Sequence, residues 1–288
     1  MENEKKNRPW YKRIKIGHII STIIVILGAF TMLFPYFWMI LTTFKTNTEA
    51  LSLEFKFFPE KIILDSYVDI FTKKEFYSSI KNTLILEISV IVVGTLVSSL
   101  AAFAFAKLKM RFRKTLLLIL MSSMMIPYAA VMLPQYRAFQ SLNMTDTLWP
   151  LILPGLFGNI SMMFFLITYM KSGIADSIIE SAKIDGCSYF SMWRHIALPL
   201  AKPALAAQVV FWFIGIWNDY FGPSIYLTKS NKMTLQVFIV SNSTNEGGTN
   251  LPAVMAGAFL ASIPMIIIFF CFQDYFINSI AMTGSKED

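Results

Sequence analysis

Few side chains in this 288-residue sequence could do covalent or metal chemistry. The two histidines, His18 and His195, sit on opposite flanks of the apolar stretches. The two cysteines, Cys187 and Cys271, fall one in a polar turn and one inside an apolar run. These four residues make no metal-ligand spacing and no plausible oxidised pair. No G-x-x-x-x-G-K-[ST] phosphate loop is present, so ATP hydrolysis is not expected of this chain. The pattern argues against an intramembrane protease, a redox subunit and a self-sufficient pump. What remains is polar groups in greasy surroundings, chiefly Glu87 and Asp219. A carboxylate facing lipid costs several kcal/mol, so Glu87 is expected to face the interior of a bundle, as a passage lining or as a structural acid.

The elements that must hold these groups are membrane helices. The sequence is 55% hydrophobic and 15% charged, with a mean hydropathy of +0.56, far from the balance of a soluble domain. A spanning helix needs roughly 20 mainly apolar residues. Six candidate spans follow, at about 19–43, 80–106, 115–136, 147–170, 204–227 and 251–273. The first follows a basic start but runs too long for a signal-peptide core and lacks a cleavage site, so it is expected to stay as an anchor. With six spans both termini share a side, which would carry 16 of the 25 lysines and arginines. The positive-inside rule makes that side cytoplasmic. The expected organisation is a basic cytoplasmic lead (1–18), a six-span membrane domain (19–276) and a cytoplasmic tail (277–288). Two external loops, 44–79 and 228–250, and a cytoplasmic segment, 171–204, belong to the middle part. The net charge of +7 reads as a topology signal, with no nucleic-acid-binding module around it.

The segment 171–204, KSGIADSIIESAKIDGCSYFSMWRHIALPLAKPA, is the one long polar, helix-prone stretch between apolar spans. Ser177-Ile-Ile-Glu180 has the pattern of a capping box, and Ile178, Ile179 and Ala182 should share one side of a short helix. Gly186 can take the left-handed conformation that ends it. Tyr189, Met192, Trp193 and Ile196 then repeat with helical spacing. Leu198-Pro199 is expected to stop the second helix, because the residue before a proline is pushed out of the α region. Such a hairpin either floats on lipid headgroups or docks a knob onto something else.

Glu180-Ser181-Ala182, Asp185-Gly186 and, nine residues later, Ile196-Ala-Leu198-Pro199 resemble the signature loop of ABC-importer permeases, E-A-A, three residues, G, nine residues, I-x-L-P. Ser181 in place of the second alanine is the one departure. The likeness covers roughly residues 16–288 and implies an all-α integral membrane fold, the six-helix type I (MetI-like) permease fold with both termini cytoplasmic. It further implies a non-catalytic, multi-pass subunit of a bacterial plasma (inner) membrane importer, of the carbohydrate-uptake type. Glu180, Ser181, Ala182, Asp185, Gly186, Ile196, Leu198 and Pro199 would then form the contact with two cytoplasmic ATPase subunits. ATP and magnesium would sit on those partners, and this chain would bind no cofactor or metal. A second permease subunit, usually a different chain, would complete the passage, and an extracellular or periplasmic solute-binding protein would deliver the sugar or oligosaccharide.

Spans three and four carry Pro127, Pro134, Pro154, Gly155 and Gly158. Such residues are tolerated in spans where neighbours or a water-filled cavity re-satisfy the backbone. A passage lined by Met124, Met125, Tyr128 and Asn159 fits, and ordinary kinked packing fits equally. Trp217-Asn218-Asp219-Tyr220 followed by Pro223 resembles the carbohydrate-type importers, which makes Asn218 and Asp219 candidates for the passage or its outer gate. Within the loop 228–250, Asn242, Ser243, Asn245, Gly247 and Gly248 match in place a loop that reaches into the binding protein, and their composition also suits a flexible loop. An ion-coupled secondary transporter or an ABC permease for a non-sugar solute is the alternative. A membrane anchor without a transport role would leave the kinked spans and the hairpin without a purpose.

Overall fold

A computed structural model describes residues 16–242, 244–245 and 248–284. Most of the basic lead and the end of the tail, together with Ser243 and Gly247, lie outside the described residues, as does the side chain of Asn245. The chain is almost entirely helical. Four helices are long and apolar enough to cross a membrane: Ile19–Thr42, Lys74–Lys107, Trp149–Gly173 and Leu251–Gln273. Two bent pairs complete the six spans. Arg113–Ser123 and Tyr128–Ser141 meet at 87°, and Tyr189–Leu200 and Lys202–Trp217 at 80°.

The bends have identifiable causes. In span three Pro127 is an extended residue (φ −65°, ψ 140°) that caps Tyr128–Ser141, and Pro134 is carried inside that helix. Span four breaks after Leu156, and Asn159 restarts it by accepting from the Met162 amide at 3.1 Å. Span five is short as a helix, Lys202–Trp217. Beyond Asn218–Tyr220 the chain resumes as Phe221–Tyr226, so the apolar run expected as one span is two helices.

The chain divides into two compact units, residues 1–70 with 243–259 and residues 71–242 with 260–288. The first holds span one, whose most apolar stretch has no buried residue. Its polar part packs on aromatics: Trp38 stacks on Phe55 at 4.9 Å, and the buried Lys45 lies 4.3 Å over the Trp38 ring while donating to the Lys56 carbonyl. Span two begins at Lys74 rather than near 80, so the segment between spans one and two is shorter than the expected 44–79. The extra turns of span two are fixed by Phe76, which is buried against the rings of Phe71, Tyr77 and Phe238.

In the second unit span two is the central post, packing on both halves of span four and on Lys202–Trp217. Small residues make this possible. A Cβ on Gly94 would lie 2.4 Å from the Trp212 ring and 2.5 Å from the Gly155 carbonyl oxygen. The loop after span five is more ordered than its composition suggests. It contains the helix Leu235–Ser241, whose Leu235 amide donates to the buried Thr83 hydroxyl at 2.9 Å. In the first unit the rest of that loop forms a two-residue hairpin, Thr244 opposite Thr249 and Asn245 opposite Gly248.

Candidate functional site

The segment 171–204 folds as two helices around a glycine turn. The first helix is Asp176–Ile184, with Ala175 at its cap and no side-chain capping bond. The expected capping box does not form: the helix begins one residue before Ser177, which puts that hydroxyl inside the first turn. Gly186 has φ +79°; its amide donates to Lys183 O and that of Cys187 to Ala182 O. These two bonds are a Schellman C-cap, the geometry that lets a glycine end a helix and reverse the chain. Ser188 then caps the second helix, accepting from the Ser191 amide at 3.2 Å.

Pro199 does not stop the second helix. A five-residue π-turn, Trp193–Ala197, closes on the Leu198 amide bonding back to Trp193 O, and the helix runs on to Leu200 before turning at Ala201. The widened turn re-pairs the backbone around a residue that lacks an N–H, which is how a proline is carried inside a helix.

One face of this hairpin is core and the other is bare. Ile179, Ala182, Met192, Trp193 and Ala197 are buried in one apolar cluster with Phe103 and Ala106 of span two and Leu166 and Met170 of span four. Trp193 Nε1 also donates to Ser99 Oγ of span two at 3.3 Å. Ile178, expected on the buried side, points away from it and is exposed, because its neighbour Ile179 takes the core position. Glu180, Ser181, Asp185 and Gly186 are exposed, whereas Ala182 is buried and Ile196 and Leu198 are half-buried. At the tip stands Ile184, 86% exposed, a residue that sequence reasoning did not single out.

Sequence reasoning also missed Lys107. It ends span two with its side chain only 3% exposed, and its ammonium donates to Ile174 O and to Asp176 Oδ1, both at 2.6 Å. Lys107 thus ties span two to the residue that opens the first hairpin helix. The hydrogen bond and charge of Lys107 hold the Asp176 carboxyl below its ordinary pKa. Nothing local in the sequence pairs residues 69 positions apart.

The residues expected from the sequence to line a passage fall into two places. Met124 and Tyr128 flank the break in span three, both partly exposed, and Tyr128 meets Phe221 edge-on at 6.2 Å. That contact brings the break beside the Asn218–Asp219 turn. Asp219 Oδ1 accepts from the Gly222 amide at 3.1 Å, and Asn218 Nδ2 donates to Ile214 O at 2.9 Å. Both polar groups therefore serve their own backbone. Asn159 sits against span two instead, its amide donating to Ser98 Oγ at 2.9 Å. Glu87 is buried, as expected, with neither oxygen hydrogen-bonded among the described residues.

In the loop after span five, Asn242 accepts from Lys73 Nζ at 2.6 Å, and Gly248, in the first unit, has φ +105°. The turn between spans three and four is clamped by Asp146. Its Oδ1 accepts from the amides of Thr228 (2.7 Å) and Lys229 (3.0 Å), and these bonds lower its pKa.

A family profile described as "Binding-protein-dependent transport system inner membrane component" matches residues 94–281. Protein LplC of Bacillus subtilis is 32% identical over 276 residues, covering 90% of each chain. The arabinooligosaccharides transport system permease protein AraQ of Halalkalibacterium halodurans is 29% identical over 261 residues, 90% of this chain and 92% of its own length. Among solved structures, a chain from a bacterial ABC transporter involved in the import of the acidic polysaccharide alginate shares the fold. Its TM-score is 0.78 at 24% identity, over 93% of this chain and 100% of that one. The family match takes in the post from Gly94, the capped hairpin and most of the last span: the chain belongs to the multi-pass inner-membrane components of binding-protein-dependent transport systems.

Proposed function

We propose that this chain forms half of the membrane passage of an ATP-driven importer for a sugar or oligosaccharide, coupled to cytoplasmic ATPase subunits through the Asp176–Ile184 helix. The observation that carries the reading is the two-faced hairpin. Its inner face is continuous with the core of spans two and four, while Glu180, Ser181, Asp185, Gly186 and the bare Ile184 face outward. A displacement applied to the outer face is delivered to span two through Trp193–Ser99 and Lys107–Asp176. The hairpin acts as a lever because close-packed cores transmit displacement instead of absorbing it. Both termini and this hairpin are placed on the cytoplasmic side, a reading supported by the excess of lysine and arginine on that side.

In this mechanism two ATPase subunits close on ATP, carry the hairpin with them and shift span two against the broken spans. Met124, Tyr128, Asn159, Asn218 and Asp219 border the passage there. A second permease chain supplies its other half. A solute-binding protein docks on the opposite face, where Asn242, Ser243, Asn245, Gly247 and Gly248 make contact. Sugar as the cargo is supported by relatives named for arabinooligosaccharide, lactose and starch-product transport.

The test is to purify the chain with the subunits that assemble with it and measure which oligosaccharides, presented on the binding protein, stimulate ATP hydrolysis. Stimulation by an oligosaccharide is expected, and stimulation by a non-sugar solute alone would replace the cargo. Gly186→Leu forces a side chain into a left-handed position that costs about 1–2 kcal/mol, yet a Cβ there meets no atom within 4 Å. The variant should assemble but hydrolyse ATP without uptake. Normal uptake would remove the lever.

A further inference from the structure

At the amino-terminal end of span two a cleft of ≈ 750 Å³ opens between spans two and four and the Ser230–Lys232 turn. This volume lies within the range of small-molecule sites. The polarity of its walls changes with depth in the same sense on both sides. On span two the order is Ser78, Lys81 and Asn82, then Ile85, Ser89 and Val93; on span four it is Trp149, then Ile152 and Leu156. At 34 residues span two is about 51 Å long, well beyond a hydrocarbon core of about 30 Å. Its first turns therefore stand at headgroup level, with Ile85 and Val93 in the hydrocarbon. Trp149 opens the next downward span at the level where tryptophan marks the interface.

The rim is basic and uncompensated. Lys81 and Lys232 line the cleft from different elements, and neither ammonium has a hydrogen bond or ion pair among the described residues. Lys45, Lys73, Lys107 and Lys229, by contrast, each have a partner. The second wall is fixed in place. Asn82 Nδ2 donates to Asn231 O at 3.2 Å and to Met233 O at 3.0 Å, which pins the turn carrying Lys232 to span two.

We propose that this cleft holds one anionic phospholipid, its phosphate between Lys81 and Lys232 and one acyl chain along the floor formed by Ile85, Val93 and Leu156. A sugar would want polar groups along the whole depth of its site, and the floor has mostly aliphatic carbon. Lysine binds phosphate as a point charge, and two lysines without partners at headgroup level over an apolar floor suit an anionic phospholipid. The assignment needs only that the chain spans a bilayer. It does not depend on the cargo or on which side is cytoplasmic.

The test uses the full chain purified with its co-assembling subunits. Native mass spectrometry reads the retention of phosphatidylglycerol against phosphatidylcholine with the same acyl chains. The expected result is preferential retention of phosphatidylglycerol, weakened about fivefold by Lys81→Gln and again about fivefold by Lys232→Gln, the weight of one basic residue at an anionic surface. Lys61→Gln, outside the cleft, should change nothing. Ser89→Trp, which fills the floor while keeping both charges, should lower the retention of both lipids. Equal retention of the two lipids by the unmodified complex would overturn the proposal. So would displacement of phosphatidylglycerol by inorganic phosphate at equal concentration, which would mean a free-anion site. A cysteine at Ser89 that cross-links to another subunit, with no lipid retained, would make the cleft a protein contact and would also overturn it.

Discussion

Span one and span two have almost the same mean hydropathy, yet none of the most apolar stretch of span one is buried, against 39% of that of span two. The difference lies in the small and polar side chains. Span two turns Ser79, Thr83, Gly94, Ser98, Ser99, Ala102 and Ala106 inward, and each is a place where another helix or loop comes close or finds a hydrogen bond. Span one presents Ile20, Ile24, Leu27 and Met32 outward. Lipid is as apolar as leucine, so greasiness alone gives two membrane helices no reason to associate. Close approach and polar contacts do that. Hydropathy thus marks where a chain can cross a bilayer, and the stripe of small residues marks which crossing organises the rest.

The contrast can be broken by altering the post. Gly94→Leu should have the largest effect, because the blocked space belongs to the Trp212 ring and a backbone oxygen. Overpacking ordinarily costs about 1–3 kcal/mol, and with no flexible neighbour to yield the cost should reach the upper end. Expected is a marked loss of monodisperse, detergent-extracted protein in gel filtration. Wild-type recovery would show that span two is not held by this contact.

The next effect falls on the strut at the end of the post. Lys107→Met should leave extraction largely intact but depress uptake relative to ATP hydrolysis, with Lys107→Arg restoring part of it. A parallel fall of both activities would make Lys107 merely structural. Because Asp176 has a depressed pKa, the strut contributes fully above the ordinary aspartate value of about 3.9. It is lost only as the pH falls through the still lower folded value. Coupling should therefore be flat between pH 8 and 5. A decline within that window that Asp176→Asn abolished would contradict the assignment.

The smallest effect sharpens the other side of the comparison. A Cβ on Gly28 meets nothing within 4 Å, so Gly28→Leu should leave the extraction and thermal stability of this chain unchanged. If it instead blocks assembly with the other subunits, span one is covered by a neighbouring chain.

Much of this architecture was legible in advance. The six crossings follow from run lengths, and the turn at Gly186 follows from a glycine between two amphipathic patterns. The misreadings share a cause. The capping box at Ser177–Glu180, the stop at Pro199 and the inward place of Ile178 all come from local rules, and in the folded hairpin the first helix starts one residue earlier, at Asp176. Trp193 is bonded to Ser99, Ile179 fills the core position, and a π-turn carries the chain past the proline. Asn159, Asn218 and Asp219 were legible as polar groups in apolar spans, but their hydrogen bonds to nearby backbone were not.

By itself the sequence determined the apolar crossings, the handed turn and the absence of a phosphate loop, since chain length, glycine conformation and residue type are local properties. Only the tertiary structure decided that span two is the post, that Lys107 meets Asp176 and that Lys81 and Lys232 share a cleft. Those pairings join residues 69 and 151 positions apart, and their free energy comes from close approach in three dimensions, to which no local pattern is sensitive.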